Sequence, residues 1–277
     1  MTRTRTVTFP SGAQVPALGQ GTWHMGNDPA RRAEEIAALR RGLELGLSVI
    51  DTAEMYGNGA AEDLVGEAVH GRRDQAFLVS KVLPFHADER GTVDACHASL
   101  RRLRTDRIDL YLLHWRGSVP LDETVEALES LVAQGSIGAW GVSNFDVDDL
   151  ADLPDGARPQ TDQVLYNLTR RGPEHDLFPR CRELAVPLMA YSPVEQGRLL
   201  GHDALTALAS ARGATPAQVA LAWVLRHDDV IAIPKAAGAA HVEENRAALD
   251  LSLTNDDLRF LDDAFPPPSG KQPLELL

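Results

Sequence analysis

The stretch ALGQGTWH, residues 17–24, decides between two folds. It is the first of eight short apolar runs, and it contains Gly19-Gln20-Gly21. A doubly wound open sheet that binds a dinucleotide usually carries G-x-G-x-x-G after its first strand. Position 24 is His, so the third glycine is missing. Outward from this stretch the other runs are LSVID (47–51), AFLVSKV (76–82), DLYLLHW (109–115), IGAWGVSN (137–144), QVLYN (163–167), VPLMAY (186–191) and VIAIPK (230–235). Amphipathic segments of helical period separate them. Eight such units in ~250 residues match a closed (β/α)8 TIM barrel, an α/β fold.

The intervening segments carry helix signals. Asp28 reads as an N-cap with Pro29 in the first turn, and Ile36, Leu39 and Leu43 then share one face before Gly46. Thr215-Pro216 opens AQVALAWVLRH in the same way. Ahead of the barrel, TVTF alternates, PSG turns and AQVPAL follows, which predicts an N-terminal β-hairpin cap over residues 1–17. The Pro-rich end, residues 265–277, reads as an extended strap. No composition break divides the chain, so one domain over 1–277 is expected.

The chain has 277 residues, 44% of them hydrophobic and 24% charged, which suits a soluble globular domain. Its net charge of −13 argues against nucleic acid, because phosphate binding needs a basic face. Cys96 and Cys181 stand far apart with no His cluster near either. No metal site or disulfide framework is expected, and a reducing cytoplasm is the simplest setting. No apolar run is long enough to span a membrane, and MTRTRTVTFPSG lacks a signal-peptide core. No self-complementary patch is evident, so a monomer is the default.

In a barrel, chemistry collects at the C-terminal ends of the strands. Asp51 ends the second run, Lys81 stands near the end of the third, His114 near the end of the fourth, and Tyr56 follows the second. Singly, each has an ordinary explanation: a helix cap, a snorkelling amine, a structural imidazole. Together they place an acid, an amine and an imidazole on three neighbouring strands, with a phenol beside them. Such groups are expensive to bury without a reason. An ammonium beside a phenol favours the phenolate, so Lys81 is expected to lower the Tyr56 pKa. Asp51 would hold Lys81, and His114 could donate to a carbonyl oxygen. The result is a proton donor aimed at a carbonyl.

At these residues the sequence resembles the aldo-keto reductase family. IDTAEMYG, VSK and LLHW correspond to its catalytic tetrad in order, and GVSNF, QVLYN, AYSP and IPK…EN also match, from the hairpin to about residue 265. The resemblance implies a TIM barrel, an extended nicotinamide cofactor bound without a Rossmann domain, and reduction of small aldehydes or ketones. It implies that Tyr56 is the general acid, Lys81 its modulator, Asp51 the partner of Lys81, and His114 the carbonyl-orienting residue. Ser143, Asn144 and Gln163 would bind the carboxamide, and Tyr191 would stack on the nicotinamide. Ser192, Val194 and Arg198 would lie over the pyrophosphate, with Gly21 and Thr22 near the inner half of the cofactor.

The segment IPKAAGAAHVEEN departs from the family's NADPH form: Lys235, Glu244 and Asn245 are kept, but Ala236 and His241 replace Ser and Arg. A 2′-phosphate would lose a hydroxyl and a bidentate guanidinium, leaving NADPH as first choice and NADH possible. Trp23, His24, Met25, Trp115 and Asn144 would line a small pocket, while Trp140 and Trp223 read as core. Two rival readings are a Schiff-base lyase using Lys81 and a non-catalytic NADP(H)-binding regulator. Borohydride trapping would detect the first, and cofactor binding without turnover would mark the second.

Overall fold

The computed structural model describes residues 5–277. The first four residues of the expected hairpin cap lie outside the described residues. From Thr6 onward the hairpin forms as expected, with β1 (Thr6–Thr8) antiparallel to β2 (Gln14–Pro16) and Val7 facing Val15.

Eight parallel strands follow: β3 (Gln20–Gly21), β4 (Val49–Asp51), β5 (Phe77–Val82), β6 (Ile108–Leu113), β7 (Ile137–Ser143), β8 (Asp162–Leu165), β9 (Leu188–Tyr191) and β10 (Val230–Ala232). Each pairs with the next in chain order, from β3 to β10. The sheet closes on itself. Ala232 N donates to Ala17 O at 2.8 Å, and Gly19 N to Ala232 O at 2.8 Å. Gly21 N reaches Pro234 O at 3.0 Å, bridging Gly21 to Lys235. Gly21 is required at this seam, since a Cβ there would lie 2.7 Å from Ile233 O. Among the described residues, closure pairs both edges of the eight-stranded sheet with each other. The fold is a (β/α)8 barrel.

The helices are α1 (Arg32–Glu44), α2 (Ala60–Ala68), α3 (Glu89–Leu103), α4 (Leu121–Ala133), α5 (Val147–Ala151), α6 (Leu177–Glu183), α7 (Asp203–Arg212), α8 (Pro216–Val224), α9 (Ala239–Ala247) and α10 (Asn255–Ala264). Thr215 caps α8 as expected, exchanging side-chain and backbone bonds with Gln218. Asp28 does not cap α1. Its carboxylate binds Ala30 N at 2.9 Å within a preceding turn, and the helix starts at Arg32 with Glu34 and Glu35 in its first turn. Glu35 reaches back to Gly26 N at 2.8 Å.

Between barrel and helices lies one continuous core that includes Leu39, Leu64, Leu78, Leu110, Leu131, Val164, Met189 and Trp223. Each fully buried Leu contributes about 1.5–3 kcal/mol relative to exposure. Trp140 and Trp223 are core residues, as expected. The tail beyond α10 has no regular structure, and Arg170 pairs with Glu275 while Lys271 lies near Asp148 and Asp176. Among the described residues, no helix is long and apolar enough to cross a membrane.

Candidate active site

Parallel pairing of β4, β5 and β6 brings Asp51, Lys81 and His114 to one rim. Lys81 is wholly buried, and its Nζ donates to both Asp51 carboxylate oxygens at 2.8 Å and to Thr52 O at 2.8 Å. The Tyr56 hydroxyl also lies within reach, at 3.2 Å, so the three ammonium protons are shared among four acceptor oxygens. Burial pulls Lys81 below its ordinary pKa and pushes Asp51 above its own, while each charge opposes the shift of the other. The bidentate geometry makes them an ion pair with no free amine lone pair.

Tyr56 opens a tight turn whose next three residues, Gly57, Asn58 and Gly59, all have positive φ (58°, 52° and 92°). Its ring packs edge-on against Trp23 at 4.8 Å and His114 at 5.9 Å between centroids. The expected lowering of its pKa is not what the structure gives. Burial, and then the Asp51 charge, push the phenol well above its usual range. The physical reason is first that burial disfavours the charged phenolate, and second that the Asp51 carboxylate lies close enough to repel it.

His114 is buried, and its pKa is lowered to about 2 by burial first and the Lys81 charge second. Its Nδ1 is buried without a hydrogen-bond partner among the described residues. The ring is therefore neutral at working pH and can donate from only one nitrogen. Its NMR signals are expected not to titrate between pH 5 and 8; a midpoint near 6.5 would overturn the neutral assignment. An unfolded imidazole gains its proton as pH falls below about 6.5 and the folded one does not, so this group costs stability on acidification, up to about 1.4 kcal/mol per pH unit.

The cofactor-side candidates form a second cluster continuous with the first. Gln163 Nε2 donates to Asp51 Oδ1 at 2.7 Å and approaches Met189 Sδ at 3.0 Å. Ser143 Oγ donates to Gln163 O at 2.8 Å. Asn144, at φ 58°, donates to His114 O at 3.0 Å and accepts from the Tyr191 hydroxyl at 3.0 Å. Tyr191 is half-buried, leaving part of its side chain exposed. Ser192 and Val194 follow it, and Arg198 is held by Glu195 and Gln196, each at 2.8 Å. Thr22 is buried, with its hydroxyl committed to Asp51 O at 2.9 Å, and Gly21 lies at the barrel seam.

Lys235 and His241 are exposed, Glu244 is half-buried and Asn245 is buried. The N-terminus of α9, between Lys235 and His241, has no side-chain cap. Free backbone N–H groups beside an exposed ammonium suit a phosphate. The residues present thus fit an extended dinucleotide.

Of the pocket candidates, Trp23 is 37% exposed, His24 is exposed with φ 65°, and Trp115 is half-buried at 4.9 Å from His114. Met25 differs from expectation. It is 1% exposed and packs in the main core, because the turn after β3 points its thioether inward. The sequence reading missed Phe85, which is 70% exposed and packs edge-on to Trp115 at 6.2 Å. The signal was an aromatic in VLPFH, directly after β5.

The profile of the aldo/keto reductase family matches residues 17–265. The chain belongs to the aldo/keto reductase family. It is 51% identical over 279 residues to methylglyoxal reductase YeaE of Escherichia coli, covering 98% of each chain. An aldo/keto reductase structure from Klebsiella pneumoniae in complex with NADP and acetate superposes with a TM-score of 0.96 at 52% identity, covering 99% of this chain and 100% of that one. Another from the same organism, in complex with NADPH, gives 0.97 at 51% identity and covers all of both chains. As an aldo/keto reductase, the chain is an NAD(P)H-dependent oxidoreductase.

Proposed function

We propose that the protein reduces small 1,2-dicarbonyl compounds of the methylglyoxal type with NADPH, using Tyr56 as the proton donor. The reading rests chiefly on one observation, the Lys81 ammonium held 3.2 Å from the Tyr56 hydroxyl and 2.8 Å from Asp51. A relative at 51% identity that is named a methylglyoxal reductase, and neighbours that hold NADP or NADPH, support the substrate and the cofactor.

A dihydronicotinamide held by these residues would supply the hydride that the carbonyl carbon receives. The protein's residues do the rest. His114, neutral and edge-on to Tyr56, donates to the carbonyl oxygen and fixes its direction. Tyr56 passes its proton to that oxygen. The phenolate left behind forms beside the Lys81 ammonium, so its charge is stabilised as it develops and not before. A phenol held above its usual pKa stays protonated through neutral pH, which keeps the acid form available. Ser143, Asn144 and Gln163 would hold the carboxamide, and Tyr191 would offer its ring face. Arg198, Lys235 and the start of α9 would bind the phosphates, with Glu244 and Asn245 on the adenine side.

Trp23, Trp115 and Phe85 wall the mouth with apolar surface, which suits a small dehydrated carbonyl. The direct test is oxidation of NADPH and of NADH on addition of methylglyoxal; binding of either nucleotide without turnover would reject the reading. His241→Arg places a guanidinium in the first turn of α9. It is expected to tighten NADPH about tenfold and leave NADH unchanged, read by quenching of tryptophan fluorescence. Equal shifts for both would move the 2′-phosphate site elsewhere.

A further inference from the structure

The turn that carries Tyr56 meets β5 through the hydrogen bond from Lys81 Nζ to the Tyr56 hydroxyl, at 3.2 Å. Gly57 and Gly59 take positive φ without a Cβ clash and Asn58 tolerates it well, so the residues encode the turn and its surroundings fix where it points. What lies beneath it is Arg102 of α3. A Cβ on Gly59 would come within 2.4 Å of Arg102 Cδ and 2.7 Å of its Nε, so the turn rests on that side chain. Arg102 is itself fixed. Its Nε donates to Glu62 Oε2 at 2.6 Å, and Nη2 to Ser99 Oγ at 3.2 Å.

Glu62 is the centre of this arrangement. It is completely buried in the first turn of α2, where the helix dipole favours its charge. Its other oxygen accepts from Ser80 Oγ at 2.6 Å. Ser80 precedes Lys81 on β5, and strand alternation sends Ser80 outward to the helices and Lys81 inward to Asp51. One carboxylate therefore ties the helix that follows Tyr56, the strand that carries Lys81, and the guanidinium under Gly59.

We propose that Glu62 and Arg102 are positioning residues for the proton donor, clamping the Tyr56 turn onto the Lys81 strand so that hydroxyl and ammonium stay within reach. The proposal rests on the reading of Tyr56 as the acid. Neither residue touches the rim, and the clamp acts through the backbone of the turn. Moving a catalytic group by 1 Å can cost ~100-fold in rate. The Glu62 carboxylate also supports the Lys81 charge from the far side of the strand.

The test compares Glu62→Gln, Arg102→Leu and Arg102→Lys with Tyr56→Phe in methylglyoxal reduction, with NADPH affinity read by tryptophan fluorescence and folding by thermal melts. Glu62→Gln keeps the shape and the Ser80 contact, so it is the variant expected to fold. Its kcat is expected to fall about tenfold, with KM and NADPH affinity within about twofold. Arg102→Leu should lose as much or more, and Arg102→Lys should recover part of the rate. Lower melting temperatures with unchanged kcat in both Glu62→Gln and Arg102→Leu would reduce the cluster to a structural ion pair and overturn the proposal. If Tyr56→Phe also remains active, the acid assignment falls first, so the two failures are distinguishable.

Discussion

Tyr56→Phe is expected to lower kcat/KM for methylglyoxal by about 10³-fold, about 4 kcal/mol of transition-state stabilisation. The substitution removes one oxygen and little else. The ring is 9% exposed and packed edge-on between Trp23 and His114, contacts that Phe retains. Lys81 keeps both Asp51 oxygens and Thr52 O, so its charge stays satisfied. NADPH affinity should therefore stay within about twofold, and the loss should appear in kcat. A Phe variant with more than a tenth of the parent rate would end the acid assignment. The parent's reduction rate should also hold steady as pH rises through neutrality, because the phenol loses its proton only well above its usual range. A fall in kcat centred between pH 7 and 8 would contradict that.

The barrel was legible because buried parallel strands are short apolar runs separated by helical periods, and all eight runs contain or adjoin an observed strand. Lengths were less legible. ALGQGTW shortens to Gln20–Gly21, because the seam with β10 is made by bridges around Gly21 rather than by a long ladder. No local pattern announces that Ala17 will meet Ala232, since closure is a property of the whole sheet. The proximity of Asp51, Tyr56, Lys81 and His114 was legible because strand ends converge in this fold. The direction of the Tyr56 shift was not. It depends first on how completely the phenol is buried and then on the nearby Asp51 charge, neither of which the sequence carries. Met25, after β3, is buried and Phe85, after β5, is exposed, because the side a loop residue faces is fixed by the backbone of its own loop and not by residue type.

Lys81→Met should cost both rate and stability, and the pH dependence separates the two. Removing the ammonium leaves the Asp51 carboxylate buried, with Gln163 its remaining side-chain donor. Breaking a buried pair in this way costs about 3–5 kcal/mol. That corresponds to a melting temperature roughly 10 °C lower for a domain of this size. Burial already pushes Asp51 upward, and without Lys81 nothing of comparable size opposes it. The folded carboxyl then holds its proton to a higher pH than the unfolded one, which ionises near 3.9. Over that interval the native state binds more protons, so stability must fall as pH rises. The variant is thus expected to be nearer the parent in melting temperature at pH 5 than at pH 8. Adding Asp51→Asn removes the stranded charge and should restore most of the lost stability at pH 8, while reductase activity stays at the level of the single variant. A Lys81→Met protein with the parent's melting temperature at pH 8 would mean that the pair contributes nothing to the fold. Recovery of activity in the double variant would mean that the ammonium is not what steadies the phenolate.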